Sequence, residues 1–197
     1  MSGLRIEEVR CPDPDLLALI GRLRVRAWAT EVEQASTMGQ WLDEFETRGC
    51  HWVVFRGCEL VGAARLSIHQ SLADVPDPEC FVGVFPEPPP DPIASFNRLV
   101  VDPAARGAGL SRKLDELRLE FAEAHGCRCA IGSTPAGERR IRQMEELGFV
   151  AVGLGNPDLK PPCCYGPRPV VIMCRLPRGR AGMRHAEPGA AAEGGGM

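Results

Sequence analysis

Arg98-Leu-Val-Val-Asp-Pro-Ala-Ala-Arg-Gly-Ala-Gly-Leu-Ser111, followed at once by Arg112-Lys-Leu-Asp-Glu-Leu117, is the stretch on which the reading of this 197-residue chain turns. The apolar run Leu99, Val100, Val101 predicts a strand that ends at Pro103. Arg106, Gly107, Ala108 and Gly109 then lead into Leu110, Leu114, Leu117 and Phe121, which recur at helical spacing. Small residues let backbone approach a ligand, and the unpaired N–H groups of a first helical turn attract anions. Strand, glycine turn and helix therefore read as one anion-binding unit, a cradle for a pyrophosphate.

What the run lacks narrows the anion. A Walker loop needs Gly-Lys-Ser/Thr after its four intervening residues, and none is present. A dinucleotide fingerprint needs a third glycine where Gly107-Ala-Gly109-Leu-Ser-Arg112 has an arginine. The run instead resembles the acyl-CoA motif of the GCN5-related N-acetyltransferase (GNAT) superfamily, Arg/Gln-x-x-Gly-x-Gly/Ala, as Arg106-Gly107-Ala108-Gly109-Leu110-Ser111. Only Ser111 departs from it, and serine is small enough to keep the helix start close to a phosphate. The strand end before the motif and Glu146-Leu-Gly-Phe149 after it strengthen the likeness.

A net charge of -3 argues against a nucleic-acid surface, and no apolar run approaches the roughly 18 residues of a membrane span. Without an N-terminal apolar core the chain reads as cytoplasmic. Nine cysteines contain no Cys-x-x-Cys pair and an odd count, so neither a metal site nor a disulfide framework is expected. Cys127 and Cys129 are expected to share one strand face as buried apolar fillers, and the adjacent pair Cys163-Cys164 to be redox-active only if exposed.

The rest of the chain alternates. A strand is expected at Leu4 to Val9, and Pro12, Asp13, Pro14 and Asp15 offer a turn and N-cap for a first helix that carries Leu16, Leu17, Leu19, Ile20, Leu23 and Val25. A second helix is expected from about Thr37 to Arg48, then strands at His51 to Phe55 and Leu60 to Ile68 around the Arg56-Gly-Cys-Glu59 turn. Ser95 to Val101 enters the motif, and a helix spans about Leu110 to His125. Cys127 to Ile131 reads as a strand, Pro135 to Leu147 as a helix, and Val150 to Leu154 and Val170 to Leu176 as the closing strands. Val75 to Pro92 holds seven prolines and reads as a long excursion, either a plain surface loop or a wall of the acceptor pocket. Residues 1–177 are expected to form the domain, and 178–197, rich in Gly and Ala, a disordered tail.

This order is similar to that of the GNAT fold, which implies an α/β architecture with a mixed central β-sheet flanked by helices. Arg24-Val-Arg-Ala-Trp28, Trp41-Leu-Asp-Glu44, His51-Trp52 and Asn97-Arg98 also resemble a bacterial GNAT subgroup distantly similar in arrangement to acyl-homoserine-lactone synthases. The resemblance implies an acyl-CoA-dependent N-acyltransferase that uses acetyl-CoA and a small-molecule amine acceptor, with no metal, no nucleic acid and no membrane as partners and a homodimer left open. The alternatives are a synthase-like enzyme taking its acyl donor from a carrier protein, and a catalytically silent acyl-CoA-binding module.

The same resemblance implies site residues. Leu99, Val100 and Val101 would align the pantetheine arm, an amide there polarising the thioester carbonyl. Arg106, Gly107, Ala108, Gly109, Leu110 and Ser111 would hold the pyrophosphate, with Arg112 adding charge or merely lying on a solvated face. Where many relatives carry a thiolate-protonating tyrosine this chain has Met144, and where many carry a catalytic glutamate it has Ser95. Tyr165, the only tyrosine, and Glu79 are candidate substitutes, with Glu87, His51 and His69 as further bases. Asn97 is expected on one strand face with Ser95, Leu99 and Val101, where it meets the substrate or satisfies backbone groups. Arg65 and Arg98 are expected to pair with Asp43, Glu44 or Glu46, or with an anionic substrate group.

Overall fold

In the computed structural model, residues 3–29, 37–156 and 168–177 are described. The expected tail at 178–197, together with Tyr165, Cys163 and Cys164, lies outside the described residues.

Strand β1 (Leu4–Val9) leads into helix α1 (Pro14–Trp28), which starts where the turn chemistry says it should. Asp13 caps it, its side chain accepting from the Leu16 amide at 2.8 Å, and Pro14 supplies a preset φ. Strands β2 (Cys50–Arg56) and β3 (Glu59–His69) form the expected hairpin, and β4 (Ile93–Val101) enters the glycine turn. Helix α2 (Leu110–Ala124), β5 (Cys129–Thr134), helix α3 (Glu138–Glu146), β6 (Val150–Leu154) and β7 (Val170–Arg175) complete the order. The sheet runs β1-β2-β3-β4-β5-β7-β6, antiparallel except for the β4–β5 pair. It is the mixed, helix-flanked sheet of the GNAT fold.

Each face has its own core. Leu110, Leu114, Met144 and Phe149 of the α2–α3 side pack on Trp52, Leu66, Ala94 and Phe96. On the other face α1 places Ile20, Leu23 and Ala27 against Val53, Ala63 and Val100. Full burial of side chains such as Ile20 and Leu23 contributes about 1.5–3 kcal/mol each. The proline-rich excursion folds through short 3₁₀ turns at Leu72–Asp74 and Pro78–Phe81. It seats Val75, Cys80 and Phe81 against Ile93, Cys129 and Ile131. No helix among the described residues is long and apolar enough to cross a membrane.

Two expectations fail here. The segment 37–48 forms no second α-helix, only a 3₁₀ position at Thr37, a bend at Gly39 and turns from Glu44 on. Its Trp41, Leu42 and Phe45 have helical spacing, yet its carboxylates are drawn into tertiary pairs instead. Glu46 accepts from the Asp43 amide and buried Arg24, and Asp43 accepts from the Phe45 amide. Nor do Cys127 and Cys129 share a strand face. Cys127 still closes α2, its amide bonding Ala122, and packs on the α2–α3 side, whereas Cys129 opens β5 and faces the excursion. Both are nonetheless buried fillers, burial pushing their thiols up to about 11 and about 12.

Candidate active site

The site begins where two strands part. Parallel pairing of β4 with β5 stops at Phe96 and Gly132, although β4 continues to Val101 and β5 to Thr134. Beyond that point each strand pairs only on its other side, so the facing edge of β4 stays open. The divergence coincides with a bulge. Asn97 pairs with Arg65 and Val100 with Ala63, leaving Arg98 and Leu99 opposite Ala64 alone. Arg98 has φ 53°, a left-handed value that a non-glycine residue rarely holds.

The bulge changes the phase of the strand. Ala94 and Phe96 point toward α2 and α3, and beyond the extra residue so do Leu99 and Val101, while Val100 faces α1. The expectation that Asn97 shares a face with Ser95, Leu99 and Val101 is therefore only half right. Ser95 and Asn97 share the α1 face, and the other two lie opposite.

The glycine turn has the open geometry its sequence suggests. Asp102 caps a 3₁₀ turn at Pro103–Ala105, its side chain accepting from the Ala104 amide. Gly107 (φ 86°) and Gly109 (φ 73°) follow in left-handed conformations, and a Cβ on either would meet nothing within 4 Å. Gly109 opens α2 without a side-chain cap, and no acidic residue stands in the first turn. The first-turn amides thus face open space at the positive end of a helix, a fit for a phosphate diester or monoester.

Turn and open edge share one cavity of about 600 Å³. Its lining includes Leu99, Val100, Val101, Arg106, Gly107, Gly109, Leu110 and Ser111 among the expected donor-binding residues, and also Asn97, but not Ala108 or Arg112. The opposite wall, Gly132 to Pro135 with Arg139, Arg140 and Gln143, was not singled out in the sequence, nor were Arg24, Ala27, Trp28 and Trp41 on the α1 side as parts of this cavity. The small-residue run Gly132-Ser-Thr-Pro135 was the available signal, since ligands collect where parallel strands end. Arg106 turns toward α1 and donates to the Ala27 carbonyl at 3.0 Å, so its place in the motif serves the turn as well as any phosphate. Arg112 pairs with Glu116 and Glu146, away from the cavity wall.

Two buried ionic networks flank β4. On the α1 face, Glu46 takes a bidentate pair from Arg24 and lies 2.9 Å from Arg65. Asp43 accepts from Arg65 and, at 2.8 Å, from Arg98. Arg98 also lies over Trp41 and 3.5 Å from Asp77 of the excursion. Burial would raise the Asp43 and Glu46 carboxyls, but the guanidiniums overcome it and hold both below the usual range. Burial lowers Arg24 and His51. Of the two readings of Arg65 and Arg98, the structure realises the pairing with Asp43 and Glu46. On the other face Asp115 accepts from Arg118, Arg140 and Gln143, and burial pushes Arg118 down to about 10.

The candidates for proton transfer disperse. Asn97 lines the cavity, but its amide is engaged. Its Oδ1 accepts from Arg65 at 2.6 Å, and its Nδ2 donates to the Ser95 carbonyl and hydroxyl. Glu79 is exposed on the 3₁₀ turn, outside the cavity wall, its carbonyl held by Asn156. His51 is buried against the Glu46 carbonyl, His69 pairs with Ser67, and Glu87 is exposed; none lines the cavity. Met144 is buried and does line it. The excursion contributes no wall to this cavity, although Asp77 reaches Arg98. Among the described residues no cluster of His, Cys, Asp and Glu could hold a metal ion.

An acyltransferase class is what this splayed sheet and phosphate-ready turn define, and comparison with known proteins agrees. The acetyltransferase (GNAT) family matches residues 18–149, and the chain belongs to it. Its members carry out acyl-CoA-dependent acyl transfer.

Solved structures share the fold. An N-acetyltransferase from Staphylococcus aureus Mu50 superposes with a TM-score of 0.62 at 19% identity, covering 89% of this chain and 100% of its own. The AHL synthase LasI gives 0.63 at 16% identity, covering 89% and 90%. A Bacillus subtilis acetyltransferase in complex with CoA gives 0.55 at 14%, covering 88% and 99%. No curated protein matches the chain.

Proposed function

We propose that the chain transfers acetyl from acetyl-CoA to a small-molecule amine by direct attack within a ternary complex. One observation carries the reading: the uncapped glycine turn at the start of α2 and the open edge of β4 line a single cavity. Backbone amides of residues 107–111 would hold the pyrophosphate, and the edge Leu99–Val101 would pair with the pantetheine arm. An amide at the bulge would then donate to the oxyanion that forms when the amine attacks the thioester carbonyl and the thiolate leaves. Preorganised donors of this kind are worth about 10²–10³ in rate.

The acceptor approaches from the α1 face, where Trp28, Trp41 and Asn97 line the cavity. Among the described lining residues the ionisable side chains are arginines: Arg24, Arg98, Arg106, Arg118, Arg139 and Arg140. Four of them are paired with Glu46, Asp43 and Asp115, and a guanidinium cannot take up a proton, so the attacking nitrogen loses its first proton to solvent. The same chemistry, with Met144 in the wall, favours a second reading in which the chain binds acyl-CoA without turnover.

Calorimetry and melting curves with acetyl-CoA, a long-chain acyl-CoA and CoA test the donor site, and a thiol-release screen over amines separates the two readings. Acetyl-CoA at 100 times its Kd should stabilise the fold by about 2.7 kcal/mol, a rise in Tm of about 5–11 °C. A flat response to all three ligands overturns both readings.

A further inference from the structure

The ionic network between α2 and α3 has a shape that bracing two helices does not require. Arg118 is 1% exposed and stacked over Phe96, with its guanidinium 4.4 Å from the ring centroid. Its Nη1 donates to the backbone carbonyl of Arg65 at 3.1 Å and reaches that of Asn97 at 3.5 Å. Those carbonyls belong to the last regular pair of the β3–β4 ladder before the bulge at Arg98 and Leu99. Its Nη2 donates to Asp115, which is 0% exposed and also accepts from Gln143 at 2.8 Å. Gln143 in turn accepts from the Ser111 hydroxyl at 3.1 Å. Ser111 sits in the first turn of α2, within the phosphate cradle. An unbroken chain of hydrogen bonds thus joins the two ends of the cavity, and Ser111, Gln143, Arg118 and Asn97 all line it.

We propose that Arg118 is a positioning residue for the acyl end of the donor, coupled to the phosphate cradle through Asp115, Gln143 and Ser111. The inference rests on the donor site proposed above. The bulge exists because one residue too many is fitted opposite Ala64, and a left-handed arginine at its centre is a costly conformation to keep. From the α1 face Asp43 holds the Arg98 side chain, and from the α2 face Arg118 holds the carbonyls just before it. Arginine suits this task because its planar fork bonds a carboxylate and carbonyls at once, which the single ammonium of lysine does not match. With the fork in place, the amides after the bulge are fixed toward the splay. Without it the bulge relaxes, and the donor still binds by its phosphates while its carbonyl loses alignment.

The test uses Arg118→Lys, Gln143→Leu and Ser111→Ala in the full chain, with CoA and acetyl-CoA carrying ¹³C at the carbonyl. Isotope-edited infrared difference spectra read the bound thioester carbonyl directly, and calorimetry reads affinity. In the wild type the bound carbonyl band should lie below its position in free acetyl-CoA. In Arg118→Lys it should return to the free position while the Kd for CoA changes by no more than about threefold. Gln143→Leu and Ser111→Ala should move the band part of the way. Should Arg118→Lys not fold, Gln143→Leu, a partly exposed position, carries the test alone. A band that stays displaced in the variants overturns the proposal. So does a loss of affinity for CoA and acetyl-CoA alike with the bound band unmoved, which is the behaviour of a brace. A wild type that binds neither ligand refutes the donor site itself, an outcome visible before any variant is made.

Discussion

Placing a carboxylate at position 109 puts the phosphate cradle to a quantitative test. Gly109 opens α2 at φ 73°, and a Cβ there would have nothing within 4 Å, so a substitution meets no steric wall. Its cost to the fold is conformational, about 1–2 kcal/mol for an L-residue held left-handed, or a fall in Tm of about 2–8 °C. Gly109→Ala measures that cost alone. Gly109→Glu adds a negative charge at the helix N-terminus, which by itself favours the helix dipole and recovers part of the loss. Toward a pyrophosphate the same charge is repulsive. At about 5 Å and an effective dielectric near 20, one phosphate charge opposes it by about 3 kcal/mol, a loss of affinity of more than about 100-fold. The assay is calorimetric titration of acetyl-CoA into wild type, Gly109→Ala and Gly109→Glu at fixed ionic strength. Wild type and Gly109→Ala should bind nearly equally, and Gly109→Glu should show no measurable binding at micromolar concentrations. A Gly109→Glu protein that binds acetyl-CoA within about threefold of Gly109→Ala would show that the phosphates do not sit at this turn.

Other consequences are equally open to measurement. Asp43→Asn removes a carboxylate shared by Arg65 and Arg98, and should cost about 3 kcal/mol, the lower end for a broken buried pair because Asp43 is 20% exposed. An unchanged Tm would show that the network is not held by charge. Stability should rise with pH through the acid range. Asp43, Glu46, His51 and His69 all have folded-state values below their ordinary ones, so the unfolded chain binds more protons as pH falls. The loss should begin near pH 6.5, where unfolded histidine charges, and steepen below about pH 4.5, where unfolded carboxylates protonate; urea midpoints that stay flat from pH 7 to 4 would contradict it. Under alkylation mapped by mass spectrometry, exposed Cys11 and Cys58 should react first among the cysteines of the described residues. Buried Cys50, Cys80, Cys127, Cys129 and Cys174 should stay protected until denaturation, and burial also raises the thiols of Cys50, Cys127, Cys129 and Cys174.

How far the sequence reached is best seen element by element. Strands β1 and β6 lie at the predicted bounds, because β1 is a short run of alternating apolar and charged residues and β6 an apolar run, each followed by turn residues. The start of α1 was legible because Asp13-Pro14 is local chemistry, and the glycine turn because glycine takes left-handed backbone without steric cost. What failed depends on distant partners. Residues 37–48 have the apolar spacing of a helix, and nothing within them reveals that Arg24 and Arg65 require their carboxylates elsewhere. The cavity wall from β5 and α3 left only the small-residue run Gly132-Ser-Thr-Pro135 as a local trace, since the wall itself exists only because a parallel strand lands beside β4.

The bulge is the most instructive miss, because the residues around it obey a two-residue period on either side. Ile93 to Asn97 alternate correctly, and so do Leu99 to Val101, but the phase differs between the two runs. A pattern read across Arg98 therefore assigns half the strand to the wrong face. No side chain in Asn97-Arg-Leu-Val-Val101 is a glycine or proline that would announce the break. The cause lies outside the strand. Asp43 holds Arg98 from one face, and Arg118, sent across by α2, bonds the carbonyls from the other. The conformation at which the donor edge opens is thus specified by two buried ion networks contributed by different parts of the chain. It follows that the two networks reach the same short run of backbone, Asn97 to Val101, from opposite faces of the sheet, so that a change in either should be felt at the edge between them.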